Sequence, residues 1–176
     1  MKFLVSVNTI GEKAFMRSGL KSIIIPNGVT VIKTDTFRNC SALSNVVFPE
    51  SVTHIDYAAF FDCTSLTGNI TLDNVIEIGI SAFENTIIEE VRIGKHIKSI
   101  GKRAFHHDQS EIPFYVYINA SNPPTFGEFI LCGYDDAGYG ARIVYVPIEA
   151  LDAYREEWKV NIQGSRKIMG YDFENE

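Results

Sequence analysis

Apolar residues recur along the chain in register, at a period of 22 or 23 residues. Phenylalanine forms the clearest column, and an isoleucine lies five residues before each phenylalanine. The phenylalanines are Phe15, Phe37, Phe60, Phe83 and Phe105, and the isoleucines are Ile10, Ile32, Ile55, Ile78 and Ile100. Two further columns keep the same register, one of Leu20, Leu43, Leu66 and Ile88 and one of Val7, Val29, Val52, Val75 and Ile97. Columns this numerous indicate an internal repeat.

Each unit has too few apolar residues to enclose a core alone, so stacking of the units is the predicted way to bury them. Within a unit, pairs such as Ile23 and Ile25 have the spacing of a half-buried strand. Strands of successive coils are expected to pair in parallel, in one long sheet along a right-handed, β-rich solenoid. The third unit shifts its strand by one residue, which predicts a bulge at Thr67-Gly68-Asn69.

Two groups of motifs resemble the BspA-like leucine-rich repeat. One is Ile78-Gly79-Ile80-Ser81-Ala82-Phe83, with its counterparts at Ile10 and Ile100. The other is Phe37-Arg38-Asn39-Cys40-Ser41-Ala42-Leu43, with its counterpart at Phe60. Asn122-Pro123-Pro124-Thr125 and the segment up to Trp158 are similar to the closing unit of that family. The resemblance spans roughly residues 7–163 and implies a leucine-rich-repeat solenoid in a bacterial surface or secreted protein linked to adhesion.

The two ends of the chain depart from the repeat. Residues 1–9 read as a partial first coil or an edge strand, and we favour a piece of a longer repeat protein. Repeats follow over residues 10–118 and a closing unit over 119–163. A helix near 149–159 is predicted, with Pro147 in its first turn and an apolar face that covers the last coil. An aromatic ligand platform is the alternative for that face. Residues 164–176 are expected to form an acidic, solvated tail.

Composition narrows the function. The chain has 176 residues, a formal net charge of −6 and a mean hydropathy near zero, as in a soluble single domain. An acidic chain does not favour nucleic-acid binding, which needs a basic field. No apolar run reaches the length of a membrane helix, so direct membrane insertion is not expected. The export signal that the resemblance implies is not present in the sequence.

Candidate partner-binding residues are those between the inward positions of each strand, because alternate residues face opposite sides of a sheet. They are Ser22 and Ile24, Asn45 and Val47, Asn69 and Thr71, Glu90 and Arg92, and Tyr115 and Tyr117. For the aliphatic residues, the alternative is the ordinary occurrence of β-branched residues on strands. The loop from Cys132 to Gly140 is a second candidate surface, with a plain connector as the alternative.

The reactive and ionisable residues do not form a known catalytic motif. Cys40 and Cys63 are repeat equivalents that could form a disulfide or share a metal, but we favour burial as free thiols. His106-His107-Asp108 lacks a third ligand at a recognised spacing, and the pairs Glu89-Glu90 and Asp135-Asp136 lack a facing cleft. Lys95, Lys98, Lys102 and Arg103 form a basic patch on the fourth coil. We therefore predict no enzyme activity, no cofactor and no metal.

The sequence thus predicts a non-catalytic binding or adhesion module with an extracellular or cell-surface location. Its partner is expected to be a protein or glycoprotein, including one on a host surface. A structural spacer within a larger surface protein is the alternative, and an enzyme is the least favoured hypothesis.

Overall fold

The computed structural model describes residues 7–107, 113–127, 142–158 and 166–175. Its elements in chain order are β1 (Ser22–Ile24), β2 (Val31–Ile32), β3 (Asn45–Val47), β4 (His54–Ile55), β5 (Thr67–Leu72), β6 (Glu77–Ile78), β7 (Ile87–Ile93), β8 (Ser99–Ile100), β9 (Phe114–Ile118), β10 (Thr125–Phe126), β11 (Arg142–Pro147), a 3-10 helix (Ile148–Ala150), α1 (Leu151–Trp158) and β12 (Arg166–Tyr171).

The strands stack in parallel along two sides of a solenoid, which confirms the predicted fold class. Strands β2, β4, β6, β8 and β10 form one ladder of two-residue strands. On the other side, β5, β7, β9, β11 and β12 form a five-stranded sheet, and β1 pairs separately with β3. The prediction of one uninterrupted long sheet is therefore wrong between β3 and β5.

A shift of register explains this break. Leu66 and Ile70 are four residues apart, whereas the equivalent Leu43 and Val46 are three apart. The first inward-facing residue of the third unit's strand consequently comes one position later than that of β3. The predicted irregularity occurs at this place, with a register shift between Gly68 and Asn69. The unpaired extra residue is Glu89 on the neighbouring β7, and Gly68 has a positive φ of 76° that side chains rarely adopt.

Tight turns make the third side of each coil, and they join neighbouring coils through backbone hydrogen bonds. The phenylalanine N–H of one coil donates to a carbonyl of the next, as from Phe60 to Ala82 at 2.7 Å. Equivalent bonds run from Phe37 to Ala59 at 2.8 Å and from Phe83 to Ala104 at 2.7 Å. Backbone groups that the strands leave unpaired are thereby satisfied inside the stack.

The phenylalanine column forms the centre of the core, as the repeat predicts. Consecutive rings stack almost in parallel, with centroids 5.0–5.3 Å apart from Phe15 through Phe105. The isoleucine column is buried beside the rings, and so are the valines and Ile97 from Val29 onward. Matching side chains of successive coils therefore share one interior.

The closing helix covers the last coil. Tyr154 and Trp158 are fully buried, and the Trp158 ring stacks on Phe126 with a centroid distance of 3.9 Å. Both polar groups are satisfied: Tyr154 Oη donates to the Ala120 carbonyl at 2.9 Å, and Trp158 Nε1 to the Pro124 carbonyl at 3.2 Å. The predicted packing of this face is confirmed. Pro147, however, is the last residue of β11 rather than a helical residue.

The prediction that the C-terminal segment is a solvated tail is wrong for its first part. Residues Arg166–Tyr171 form β12, which pairs in parallel with β11 and adds a strand to the sheet. The sequence did not predict this strand, because its alternation of apolar and polar residues is short and lies next to an acidic stretch. In the part of the chain that the structure describes, no helix has the length and apolar character needed to cross a membrane.

Candidate partner-binding surface

The predicted binding residues lie on the outward faces of two sheets, the two-stranded sheet of β1 and β3 and the five-stranded sheet. On the two-stranded sheet, Ser22 is opposite Asn45 and Ile24 is opposite Val47. All four are exposed, Ile24 by 76% and Val47 by 46%. The remaining six predicted residues lie on the five-stranded sheet, beyond the break at β3. The ten residues therefore do not lie on one hydrogen-bonded sheet, although β3 and β5 are in contact.

On the five-stranded sheet, the register brings the other predicted residues together. Asn69, Glu90 and Tyr115 are neighbours in one line across the strands. Thr71, Arg92 and Tyr117 are neighbours in the next line. Asn69 and Thr71 are exposed, whereas the other four are half-buried by their neighbours.

Three tyrosines form a compact cluster at the end of this sheet. Tyr117 of β9 stacks on Tyr145 of β11 with centroids 4.6 Å apart. Tyr171 of β12 meets both rings edge-on, at 5.0 Å from Tyr117 and 5.6 Å from Tyr145. Phe173 packs edge-on against Tyr171 at 4.9 Å. We call Tyr117, Tyr145, Tyr171 and Phe173 the aromatic patch.

A charged pair borders the aromatic patch. Arg92 Nε donates to a Glu90 carboxylate oxygen at 2.8 Å, and the Arg92 guanidinium lies 4.6 Å from the centre of the Tyr117 ring. Partial burial raises the pKa of the Tyr117 hydroxyl, with further contributions from Glu90, Tyr145 and Tyr171 against an opposing one from Arg92. The hydroxyl of Tyr117 is therefore a neutral donor at physiological pH.

A turn beyond β12 orients the last ring of the patch. The Asp172 carboxylate accepts from the Glu174 backbone N–H at 3.1 Å and from Asn175 Nδ2 at 2.6 Å. These bonds, that to Asn175 foremost, lower the pKa of Asp172. The turn keeps Phe173 beside Tyr171.

Sequence reasoning found only one member of this patch, Tyr117. The alternation around Val144 and Val146 indicates that Tyr145 faces outward, but the sequence does not predict that Tyr145 lies opposite Tyr117. The repeat period of 22 or 23 residues is lost there, since these two tyrosines are 28 residues apart. Tyr171 lies in the segment that the sequence predicts to be a solvated tail.

Other candidate residues are dispersed. Cys40 and Cys63 are buried free thiols that donate to the carbonyls of Phe15 and Phe37 at 2.9 and 3.1 Å. Burial, with a smaller contribution from Cys40, raises the pKa of the Cys63 thiol to about 12. Within the described residues, no three His, Cys, Asp or Glu side chains are grouped as metal ligands.

The predicted acidic and basic groups are engaged or separated. Glu89 accepts from Thr67 at 3.0 Å, and Arg103 forms an ion pair with Glu84 at 2.6 Å. His106 is buried within the last full coil. Asp108, Asp135-Asp136 and the candidate loop from Cys132 to Gly140 lie outside the described residues.

The repeat sequence matches a known family. The model of the BspA type leucine-rich repeat region matches residues 1–111, in six copies. The chain belongs to this family. No curated protein matches the chain in sequence.

Among solved structures, this BspA-type chain is similar to that of the pneumococcal vaccine antigen PcpA. The two share 17% sequence identity at a TM-score of 0.61. The likeness covers 92% of this chain but only 38% of the PcpA chain. At this level of identity the comparison supports the leucine-rich-repeat solenoid and leaves activity and partners to be inferred from the residues themselves.

Proposed function

We propose that this chain is a non-catalytic protein-binding module of a cell-surface or secreted protein, with a role in adhesion. Its partner would dock on the outward face of the five-stranded sheet. The observation that carries the proposal is the aromatic patch with Glu90 and Arg92 at its border. Tyrosine and arginine are enriched at the energetic centres of protein interfaces.

The arrangement of the rings favours a protein partner over a neutral glycan. Sugars stack on open aromatic faces, but the faces of Tyr117 lie against Arg92 and Tyr145. On Tyr117, what remains for a partner is the ring edge and the hydroxyl group, and Met169, exposed by 42%, lies next to Tyr145. Such a surface combines apolar area with hydrogen-bond donors at little cost in side-chain entropy, because the rings already hold one another.

Two comparisons support a surface location. The family is that of BspA-type repeats, and the solved structure that the fold resembles is a vaccine antigen. The strand pairing also favours recognition over catalysis, since it spreads the candidate residues across a sheet face. An active site needs convergent titratable groups in a cleft.

The experiment is a binding assay against a panel of immobilised extracellular matrix and host-cell glycoproteins. A partner found in this way is then measured with the double variant Tyr117→Ala/Tyr145→Ala. Loss of a central aromatic contact costs about 2 kcal/mol or more, which corresponds to roughly thirtyfold weaker binding. Enzymatic removal of glycans from the partner should leave most of the affinity.

The matched control is Tyr57→Ala, a tyrosine that is 49% exposed and lies beside the ladder of two-residue strands. It should leave the affinity unchanged, and circular dichroism should show both variants folded. Saturable binding that the patch variant does not weaken would exclude this surface. The absence of any saturable partner would favour the structural spacer.

A further inference from the structure

A basic pocket lies at a corner of the solenoid, away from the aromatic patch. It opens between the turn that follows β7 and the longer segment that connects β9 to β10. Its volume is about 580 Å³, which is in the range of small-molecule sites. The lining residues are Lys95, His96, Ile97, Lys98, Ala120, Ser121, Asn122, Pro123, Pro124 and Thr125.

The same corner is nearly closed between the second and third units, where it leaves only about 60 Å³, bordered by Val52 and Val75 of the repeat column. The next unit still has Ile97 in that column, but the closing unit places the smaller Ala120 at this corner. The closing unit also has seven residues between Ile118 and Phe126, whereas the preceding unit has six between Ile93 and Ile100. The wider segment opens the pocket.

The far wall of the pocket is held in place by the closing helix. The carbonyl of Ala120 accepts from Tyr154 Oη, and the carbonyl of Pro124 accepts from Trp158 Nε1. The ends of the segment are fixed to the preceding coil, since Asn119 N–H donates to the Ile93 carbonyl and Thr125 N–H to that of Lys98. A wall fixed at four points is preorganised, which lowers the entropic cost of binding a ligand.

Positive charge is concentrated on the near wall. Lys95, His96 and Lys98 are exposed, and the lining of the pocket contains no Asp or Glu. The equivalent corners of the first three units have no Lys, Arg or His, and those of the second and third have Glu50 and Asp73 instead. A basic pocket on a chain with a net charge of −6 departs from its surroundings and attracts anions.

We propose that this pocket binds an anionic saccharide unit, one that bears a carboxylate or a sulfate. Lys95 and Lys98 would contact the acidic group, while Ser121 and Asn122 would exchange hydrogen bonds with hydroxyl groups. The half-buried ring of Pro123 offers apolar surface to the sugar C–H groups. The pocket is distinct from the sheet face proposed for a protein partner, so an experiment can contradict one proposal without affecting the other.

The shape of the pocket favours a sugar over an acidic peptide. An extended peptide is usually held by a free strand edge or a long groove. At the pocket, the facing edges of β8 and β10 are paired with each other, and the pocket is bordered by two turns. A compact unit with several hydroxyl groups fits such a site better.

The test is isothermal titration of the full chain with a sulfated heparin disaccharide, sialyllactose and neutral lactose. At least one anionic probe should bind and lactose should not. The variant Lys95→Ala/Lys98→Ala should weaken binding by at least about tenfold, because two charge contacts are lost. The matched control Lys13→Ala/Lys21→Ala removes the same charge from exposed positions of the first coil and should leave the affinity unchanged.

Sulfate and an acidic peptide complete the design. Sodium sulfate that displaces the saccharide at equal concentration would reduce the pocket to a simple anion site and overturn the proposal. A polyglutamate peptide that binds more tightly than either saccharide would assign it to peptides instead. Lack of binding by both anionic saccharides, or equal weakening in the control variant, would also contradict it. Ser121→Ala separates hydroxyl recognition from charge, and it should weaken the saccharide without weakening sulfate.

Discussion

The rings of Phe60 and Phe83 lie face to face, with centroids 5.0 Å apart and an angle of 3° between their planes. The two residues are 23 positions apart in sequence, one full coil. Phe37 stacks on the other side of Phe60 at the same centroid distance. Phe60 is thus enclosed by equivalents of itself, and the edge of the Phe48 ring closes a third side at 5.6 Å.

Replacement of this central ring should be costly. Phe60→Ala leaves a cavity between two rigid rings that cannot collapse, and we expect a loss of about 3–5 kcal/mol in the free energy of unfolding. Urea denaturation followed by circular dichroism measures it. The neighbouring Phe61, half-buried under the Arg38 guanidinium, is the control, and Phe61→Ala should cost clearly less. A loss below about 1 kcal/mol for Phe60→Ala would mean that the stacked column does not carry the core.

The sequence predicted the structure of this protein well where the repeat is regular. Identical residues at a fixed spacing can be assigned to stacked columns, because each coil repeats the environment of the last. Phe15 through Phe105 were found in this way. Tyr145 and Tyr171 were not, since their strands follow segments of unequal length and the register of β11 and β12 depends on tertiary packing. The patch is the part of the surface where periodicity ends.

Close approach between coils also escapes a sequence pattern. A Cβ atom on Gly101 would lie 2.5 Å from the backbone nitrogen of Ile80, whereas one on the equivalent Gly11 would meet nothing within 4 Å. The reason is that Gly101 has a preceding coil beneath it. The motif alone gives both glycines the same role, yet only one of them is sterically required.

Gly101→Ala should therefore destabilise the protein and Gly11→Ala should not. The methyl group at position 101 forces two coils apart, for which we expect a cost of about 1–3 kcal/mol. At position 11, the lower backbone entropy of alanine in the unfolded chain makes the change neutral or slightly stabilising. Thermal denaturation of the two variants measures the difference. Equal melting temperatures would contradict the close packing between these coils.

The closing helix offers a test through a single hydroxyl group. Tyr154→Phe keeps the ring but leaves the buried carbonyl of Ala120 without its donor, and we expect a loss of about 1–3 kcal/mol. Trp158 reports unfolding by its fluorescence, because its stacked, buried indole becomes exposed to water. Tyr57→Phe, at an exposed site, is the control and should change stability by less than about 0.5 kcal/mol. Equal effects of both variants would show that the hydroxyl of Tyr154 contributes no net stability.

The buried thiol of Cys63 makes stability depend on pH in the alkaline range. Burial raises its pKa from the ordinary 9.0 to about 12, and its Sγ–H donates to the Phe37 carbonyl. Between these two values the folded state keeps the proton and the unfolded state has lost it. Because the unfolded state then binds fewer protons, stability falls as pH rises above about 9, by up to about 1.4 kcal/mol per pH unit. Below that range the contribution is fully present.

Cys63→Ser removes this titration while its hydroxyl can still donate to the same carbonyl. Between about pH 8 and pH 10, the native chain should therefore lose about 1 kcal/mol more stability than the variant. Urea unfolding at both pH values measures the difference, and Tyr117 and Tyr154, whose pKa values are also raised, are present in both proteins. A variant that loses as much stability as the native chain would place the thiol in contact with solvent. That result would also contradict its hydrogen bond to the preceding coil.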